Sequence, residues 1–235
     1  MAKIIGLSRS IRLEWLNKTV ELVLEGKNET QIKDELNEYL SFEIKSPTVL
    51  RKTREILMNI WVRTPEELST LKQQALEAYK DEKSNKLALH WSMMLVAYPV
   101  FSDVCALIGK LTNIQDTFAA PWLKEKLFEM WGERTTLFHS SDKILQTLKQ
   151  IGAIENEKVG VYRIKKYPVT DVKTIQVLLL AILHLRERAY YEIAELSSVP
   201  QAFPFEYTVS LEWLHDSDLF TLSNNFGGKI VLTVD

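Results

Sequence analysis

Apolar positions recur at helical spacing along most of the chain. From Ser10 to Glu25, residues Leu13, Leu16, Val20, Val23 and Leu24 share one face, and Gly26 supplies a left-handed stop. A polar helix is predicted from Thr30 to Leu40. After a short connection, Ser46-Pro47 reads as a helix entry, the serine as a cap and the proline in the first turn. At 100° per residue, Val49, Thr53, Ile56, Leu57 and Ile60 gather on one side of that helix, with Arg51, Arg54 and Met58 opposite. The pair reads as a helix-turn-helix. Thr64-Pro65-Glu66-Glu67 has the form of a capping box and predicts a helix to about Tyr79. The charged run Lys80 to Lys86 is a surface connection. The apolar stretch from Leu87 to Ile108, interrupted by His90, Ser92, Pro99, Ser102 and Asp103, predicts two buried helices meeting at Pro99 rather than a membrane span. Another helix runs from Pro121 to near Gly132. No strand is expected up to that point.

Beyond Gly132 the pattern changes. Ser140 to Ile151 predicts a helix with Ile144, Leu145, Leu148 and Ile151 inward, stopped by Gly152. Ala153 to Glu155 and Val161 to Tyr167 follow as a hairpin across the polar loop Asn156 to Gly160. Helix then hairpin is a winged-helix pattern. Asp171 to Arg188, Tyr190 to Ser197 and Phe205 to His215 read as helices, and Leu219 to Val234 as a second hairpin around Asn224 to Gly228. That stretch resembles another winged helix. The expected fold class is mainly α: a helical bundle with helix-turn-helix elements and small β-hairpin wings. The expected units are a helical domain over 1–132, a winged-helix-like module over 133–170 and an acidic helical and hairpin module over 171–235.

Charge then divides these units. The whole chain of 235 residues is 46% apolar with a formal charge of -2, which excludes disorder and a generally basic nucleic-acid binder. Basic residues are nonetheless concentrated locally. Lys45, Arg51, Lys52, Arg54 and Arg63 stand against Glu55 alone between residues 45 and 63. Lys143, Lys149, Lys158, Arg163, Lys165 and Lys166 stand against Glu155 and Glu157 between 143 and 170. The last unit is opposite in sign. From Glu192 to Asp235 only Lys229 offsets seven carboxylates, so a DNA backbone would repel it. Protein contact is the expectation there, dimerisation included, with Phe203, Phe205, Tyr207 and Trp213 as candidate anchors and ordinary core as the alternative.

Motifs for catalysis are absent. The chain has no glycine-rich phosphate loop, no nucleophile elbow and no paired histidines at metal spacing; His90, His139, His184 and His215 lie far apart in sequence. His139-Ser140-Ser141-Asp142 carries the residue types of a hydrolytic triad, but adjacent residues cannot face one another in that geometry, and helix capping by Ser140 or Ser141 accounts for them better. No metal or cofactor is expected. Cys105 is the only cysteine, with apolar neighbours, which fits a buried thiol and a reducing cytoplasm. The N-terminal apolar run is too short for an export signal.

Nucleic-acid binding uses more of the pattern. Arg51, Lys52 and Arg54 would present cations from the helix-turn-helix. In the second unit Lys143, Gln146, Thr147 and Gln150 are the positions turned away from the apolar stripe. Lys158, Arg163, Lys165 and Lys166 would make the hairpin a basic wing. Several stretches also resemble the BrxA family of bacterial BREX phage-exclusion systems: ELVLEGKNE, then KSPTVLRKTREILMNIW, and later LQTLKQIGAIE leading into a hairpin. The resemblance spans about residues 10 to 167, and the segment beyond Thr170 extends past it. It implies a mostly helical protein similar to the NusB antitermination fold, with helix-turn-helix features. It further implies a non-catalytic role in binding double-stranded DNA alongside other defence proteins. A protein adaptor that uses its winged helices without touching DNA is the alternative.

Overall fold

Gly26, at φ 74°, ends the first helix, α1 (Leu13–Leu24), at the predicted place. Asn28 opens α2 (Glu29–Ser41) with a reciprocal capping box. Its side chain accepts from the Gln31 amide, and the Gln31 side chain accepts from the Asn28 amide, both at 3.0 Å. Pro47 begins α3 (Pro47–Trp61), but the Ser46 hydroxyl makes no capping bond. The computed structural model describes residues 6–112, 114–185, 188, 190–225 and 229–233. Residues 186 and 187 of the helix expected from Asp171 to Arg188, and residues 226–228 and 234 of the expected second hairpin, lie outside them; the helix ends at His184. The described residues are mainly helical with a few short strands.

The expected capping box at Thr64 does not form. Pro65 stands at the cap instead of inside the helix, which leaves the Thr64 hydroxyl one residue too far out, buried and unpartnered. A short 3-10 turn (Glu66–Leu68) leads instead into α4 (Ser69–Tyr79). α5 (Lys86–Ala97) and α6 (Pro99–Thr112) meet at Tyr98–Pro99 with a bend of 119°. Among the described residues no single helix is long and apolar enough to cross a membrane. α5 is buried on all sides from Leu87 to Leu95 because α3, α4, α6 and α9 (Val172–His184) surround it.

Contrary to the expectation of no strand before residue 132, β1 (Thr117–Ala119) pairs antiparallel with β3 (Val161–Ile164), Phe118 opposite Tyr162. Between them in sequence come α7 (Ala120–Trp131), α8 (Thr135–Gln150) and β2 (Ile154–Lys158). The sheet order is β1-β3-β2. α8 starts a turn and a half before the predicted Ser140. Ser140 and Ser141 are therefore buried inside it, bonded to the carbonyls of Gly6 and Phe138, and cap nothing. β2 also runs into the expected loop, and the turn tightens to Val159-Gly160 with Gly160 at φ 72°.

The same order recurs after residue 171. α9, β5 (Tyr191–Glu192), α10 (Ile193–Leu196), α11 (Leu211–His215), β7 (Thr221–Asn225) and β8 (Lys229–Thr233) follow one another, with the sheet ordered β5-β8-β7. A two-residue parallel pairing of β4 (Tyr167–Pro168) with β6 (Phe205–Glu206) joins the two repeats.

The three expected units do not keep separate cores. The strand pairing β1 with β3 crosses the boundary at 132, and α9 packs on α4 and α5 across the boundary at 171. Trp91 of α5 stacks edge-on against Phe101, Phe203 and Phe205, at ring distances of 5.0, 5.4 and 5.5 Å, and its indole N–H donates to the Gln201 carbonyl. Phe203, Phe205 and Tyr207 are thus core residues and not partner anchors. The Tyr207 hydroxyl is spent on the Leu196 carbonyl at 2.7 Å, and Trp213 is half-buried against the same core. Cys105 is buried as expected, and burial pushes its thiol well up.

Candidate nucleic-acid interface

Position along α3 decides which of its cations reach solvent. Arg54 lies one helical turn from both Leu50 and Met58, on the side where α2 packs, so it is buried and not presented. Met58, expected on the same outer side, is buried too. The Arg54 guanidinium donates to Asn37 Oδ1 at 2.7 Å and to Glu55 Oε1. Arg63 takes the other Glu55 oxygen at 2.6 Å and Glu29 at 2.7 Å. Burial raises the Glu55 carboxyl, but the two guanidiniums outweigh it and hold the group below its ordinary range. Arg51 is exposed and Lys52 half-exposed. Neither has a carboxylate partner among the described residues.

The hairpin is less basic in space than in sequence. Glu155 faces Arg163 across the strand pair and binds Lys165 at 3.1 Å, while Glu157 binds Arg163 at 2.7 Å. Lys166 reaches Glu206 of β6 at 3.4 Å. Only Lys158, next to the fully exposed Val159 at the tip, keeps its charge uncompensated among the described wing residues.

On α8 the side chains Lys143, Gln146 and Gln150 are at the surface as predicted, and the Lys143 ammonium touches Gln146 Oε1 at 3.3 Å. Thr147 is not. It shares the 4-3-4 spacing of Ser140, Ile144 and Ile151, a buried stripe, and its hydroxyl accepts the Ile11 amide at 3.1 Å while donating to the Lys143 carbonyl. Thr147 therefore holds the N-terminal segment instead of facing a ligand. Replacing Thr147 with valine keeps the shape and strands the buried Ile11 N–H. A loss of about 1–3 kcal/mol is expected, checked by thermal unfolding and by faster amide exchange at Ile11.

That clamped segment brings in a cation outside the predicted set of contacts. Ser140 Oγ donates to the Gly6 carbonyl, Leu7 is fully buried at φ 34°, and the chain then turns outward to Ser8 and Arg9. Arg9 lines an open groove of about 1030 Å³ together with Arg51 and Lys52 of α3 and Arg134, Thr136 and His139 of α8. Ile56, Ala97, Tyr98 and Pro99 supply apolar surface below. Glu55 is the only carboxylate in the lining, and Arg54 and Arg63 already occupy it. Arg12, by contrast, is paired with Glu43. From the groove a stripe of surface positions, His139, Lys143, Gln146 and Gln150, continues along α8 at spacings of four, three and four.

Among the described residues no group of three or more His, Cys, Asp or Glu side chains could hold a metal ion. Comparison with protein-family models, with curated proteins and with solved structures gives no match to this chain.

Proposed function

We propose that this protein binds double-stranded DNA without catalysing a reaction on it, and that the unit from α6 to β3 is a winged helix with α8 as its reading helix. The order helix, strand, helix, helix, hairpin, with the lone strand paired to the second hairpin strand, supports the winged-helix reading. The observation that carries DNA binding is the surface running from Arg9, Arg51, Lys52 and Arg134 onto the His139 to Gln150 stripe. Among the described residues its cations are unpaired, the one carboxylate in the groove, Glu55, is neutralised by Arg54 and Arg63, and Asp142 beside the stripe is paired with Lys124 at 2.6 Å. The paired cations Arg163, Lys165 and Lys166 contribute little in this reading, so the groove side of α8 carries the contact and the wing adds Lys158. The resemblance to the BrxA family supports a place for the protein, with other defence proteins, in a bacterial BREX system.

Fluorescence anisotropy with a random-sequence duplex at increasing salt tests this. Each phosphate contact adds about 0.9 to the slope of log affinity against log salt, so Arg51→Glu with Lys143→Glu is expected to flatten the slope by about 1.8. Arg163→Gln with Lys165→Gln is expected to change it by less than half of that. If the unaltered protein does not retain duplex at micromolar concentration and moderate salt, the reading fails. The adaptor then takes its place, which the carboxylate-paired wing and the acidic second repeat favour.

A further inference from the structure

We propose that the groove between the N-terminal segment, α3 and the opening of α8 is a site for an unpaired nucleotide, with the phosphate at Arg9, Arg51 and Arg134 and the base on the apolar floor. For the source of that nucleotide the proposal rests on the DNA-binding reading. The site itself stands on separate observations. The first is size: about 1030 Å³ is at the upper end of the cavities that hold small organic ligands. The second is charge. Arg9, Arg51, Lys52 and Arg134 have no carboxylate within ion-pairing distance among the described residues, and guanidinium forks match the paired oxygens of a phosphate.

Hydrogen bonding supplies the third observation. Arg9 Nε is buried and finds no acceptor, although Nη1 of the same guanidinium donates to the Ser8 carbonyl at 2.6 Å. Among the described residues this guanidinium is thus committed to no other side chain of the protein. Arg134 is held in place by its own bond to the Trp131 carbonyl at 2.9 Å, and the first turn of α8, lined here by Thr136, offers amides with no acceptor within the helix. The floor gives the fourth. Ala97 and Pro99, at the bend between α5 and α6, keep apolar surface open beside the buried Ile56 and Tyr98. A phosphate alone would leave that surface wet, whereas the flat body of a base covers it.

Titration with the fluorescent nucleotide 1,N6-ethenoadenosine monophosphate, with its nucleoside, and with blunt and overhanging duplexes tests the site. Saturable binding of the nucleotide is expected, at least about tenfold tighter than the nucleoside, because the phosphate supplies the charge contact. Arg51→Gln, at an exposed position and expected to leave the circular dichroism unchanged, should weaken the nucleotide. Lys143→Glu should leave it unchanged while weakening the duplex. A preference for an overhang over a blunt end that Arg51→Gln abolishes identifies a DNA strand as the source. Equal binding of both duplexes beside saturable mononucleotide binding identifies a free nucleotide. If duplex binds while neither the mononucleotide at millimolar concentration nor the overhang adds anything, the groove proposal is overturned and the duplex reading stands. If the mononucleotide binds and duplex does not, the reverse holds.

Discussion

Gly109→Ala is expected to lower the unfolding temperature by ~6–12 °C, from a loss of about 3 kcal/mol or more, although alanine is the better helix former by about 1 kcal/mol. Gly109 lies inside α6, and a Cβ built there would stand 2.0 Å from the Pro200 carbonyl oxygen, 2.7 Å from its carbon and 2.8 Å from its Cα. All three are backbone atoms, so no rotamer change relieves the contact. α6 and the 3-10 turn Pro200–Ala202 would have to part, and with them the ring cluster of Trp91, Phe203 and Phe205 that rests on this approach. The joint between the first half of the chain and its second repeat is what the substitution opens. Gly26→Ala is the control. No atom lies within 4 Å of where its Cβ would stand, so only the left-handed φ of 74° opposes alanine, at about 1–2 kcal/mol. Thermal and urea unfolding of the two variants check the difference. Equal destabilisation would show that the close approach does not limit the fold.

Helix periodicity locates most helices because each has a broad apolar face and a marked end, such as Gly26 for α1 or Pro99 at the bend between α5 and α6. What escapes it is long-range. β1 is three residues, Thr117 to Ala119, too short to alternate, and its partner β3 begins at Val161. Polar residues on buried stripes escape for a different reason. Arg54 falls opposite the Val49 to Ile60 stripe by helical phase, yet α2 packs on that side as well, whereas Thr147 read as outward although its spacing from Ile144 and Ile151 puts it on a packed face. At Thr147 spacing is a better guide than residue type, and at Arg54 a second packed face defeats both.

The candidate site is half legible. Arg51, Lys52, Lys143, Gln146 and Gln150 lie on the surface as read from helical phase. The pairing of Arg163 with Glu157 and of Lys165 with Glu155 depends on strand register, which a net charge count over a segment cannot contain. Lys166 with Glu206 depends on β4 meeting β6, one step further away. Arg9 and Arg134 sit about 125 residues apart in sequence and meet only because Ser140 and Thr147 tie the N-terminal segment to α8. A pair of small hydroxyl residues on the inner face of a helix is the one local signal that something other than apolar side chains docks there.

Acid should weaken the fold well before the carboxylates titrate, through His90. This ring is fully buried on α5, and both nitrogens are committed. The Trp61 indole N–H donates to Nδ1 at 3.0 Å, so Nδ1 carries no proton, and Nε2–H donates to Asn17 Oδ1 at 2.9 Å, where the Tyr79 hydroxyl also donates at 2.9 Å. A second proton would have to sit on Nδ1, facing the indole N–H. Burial, with Lys86 adding to it, accordingly lowers the His90 pKa to about 3, while burial also raises that of Tyr79 to about 12. The folded value is thus below the ordinary 6.5 of the unfolded chain. Above that value neither state binds the proton and the stability is complete. Between it and about 3 only the unfolded chain takes the proton, so stability falls with pH by about 1.4 kcal/mol per unit. From this ring alone the protein should be about 2 kcal/mol less stable at pH 5 than at pH 8. Urea unfolding across that range, set against a His90→Gln variant, isolates the contribution. In the folded protein the His90 ring resonances should stay fixed across that range. A His90 resonance that titrates in the native state near neutral pH would mean that the indole bond does not hold Nδ1 bare, and the acid sensitivity would have to come from elsewhere.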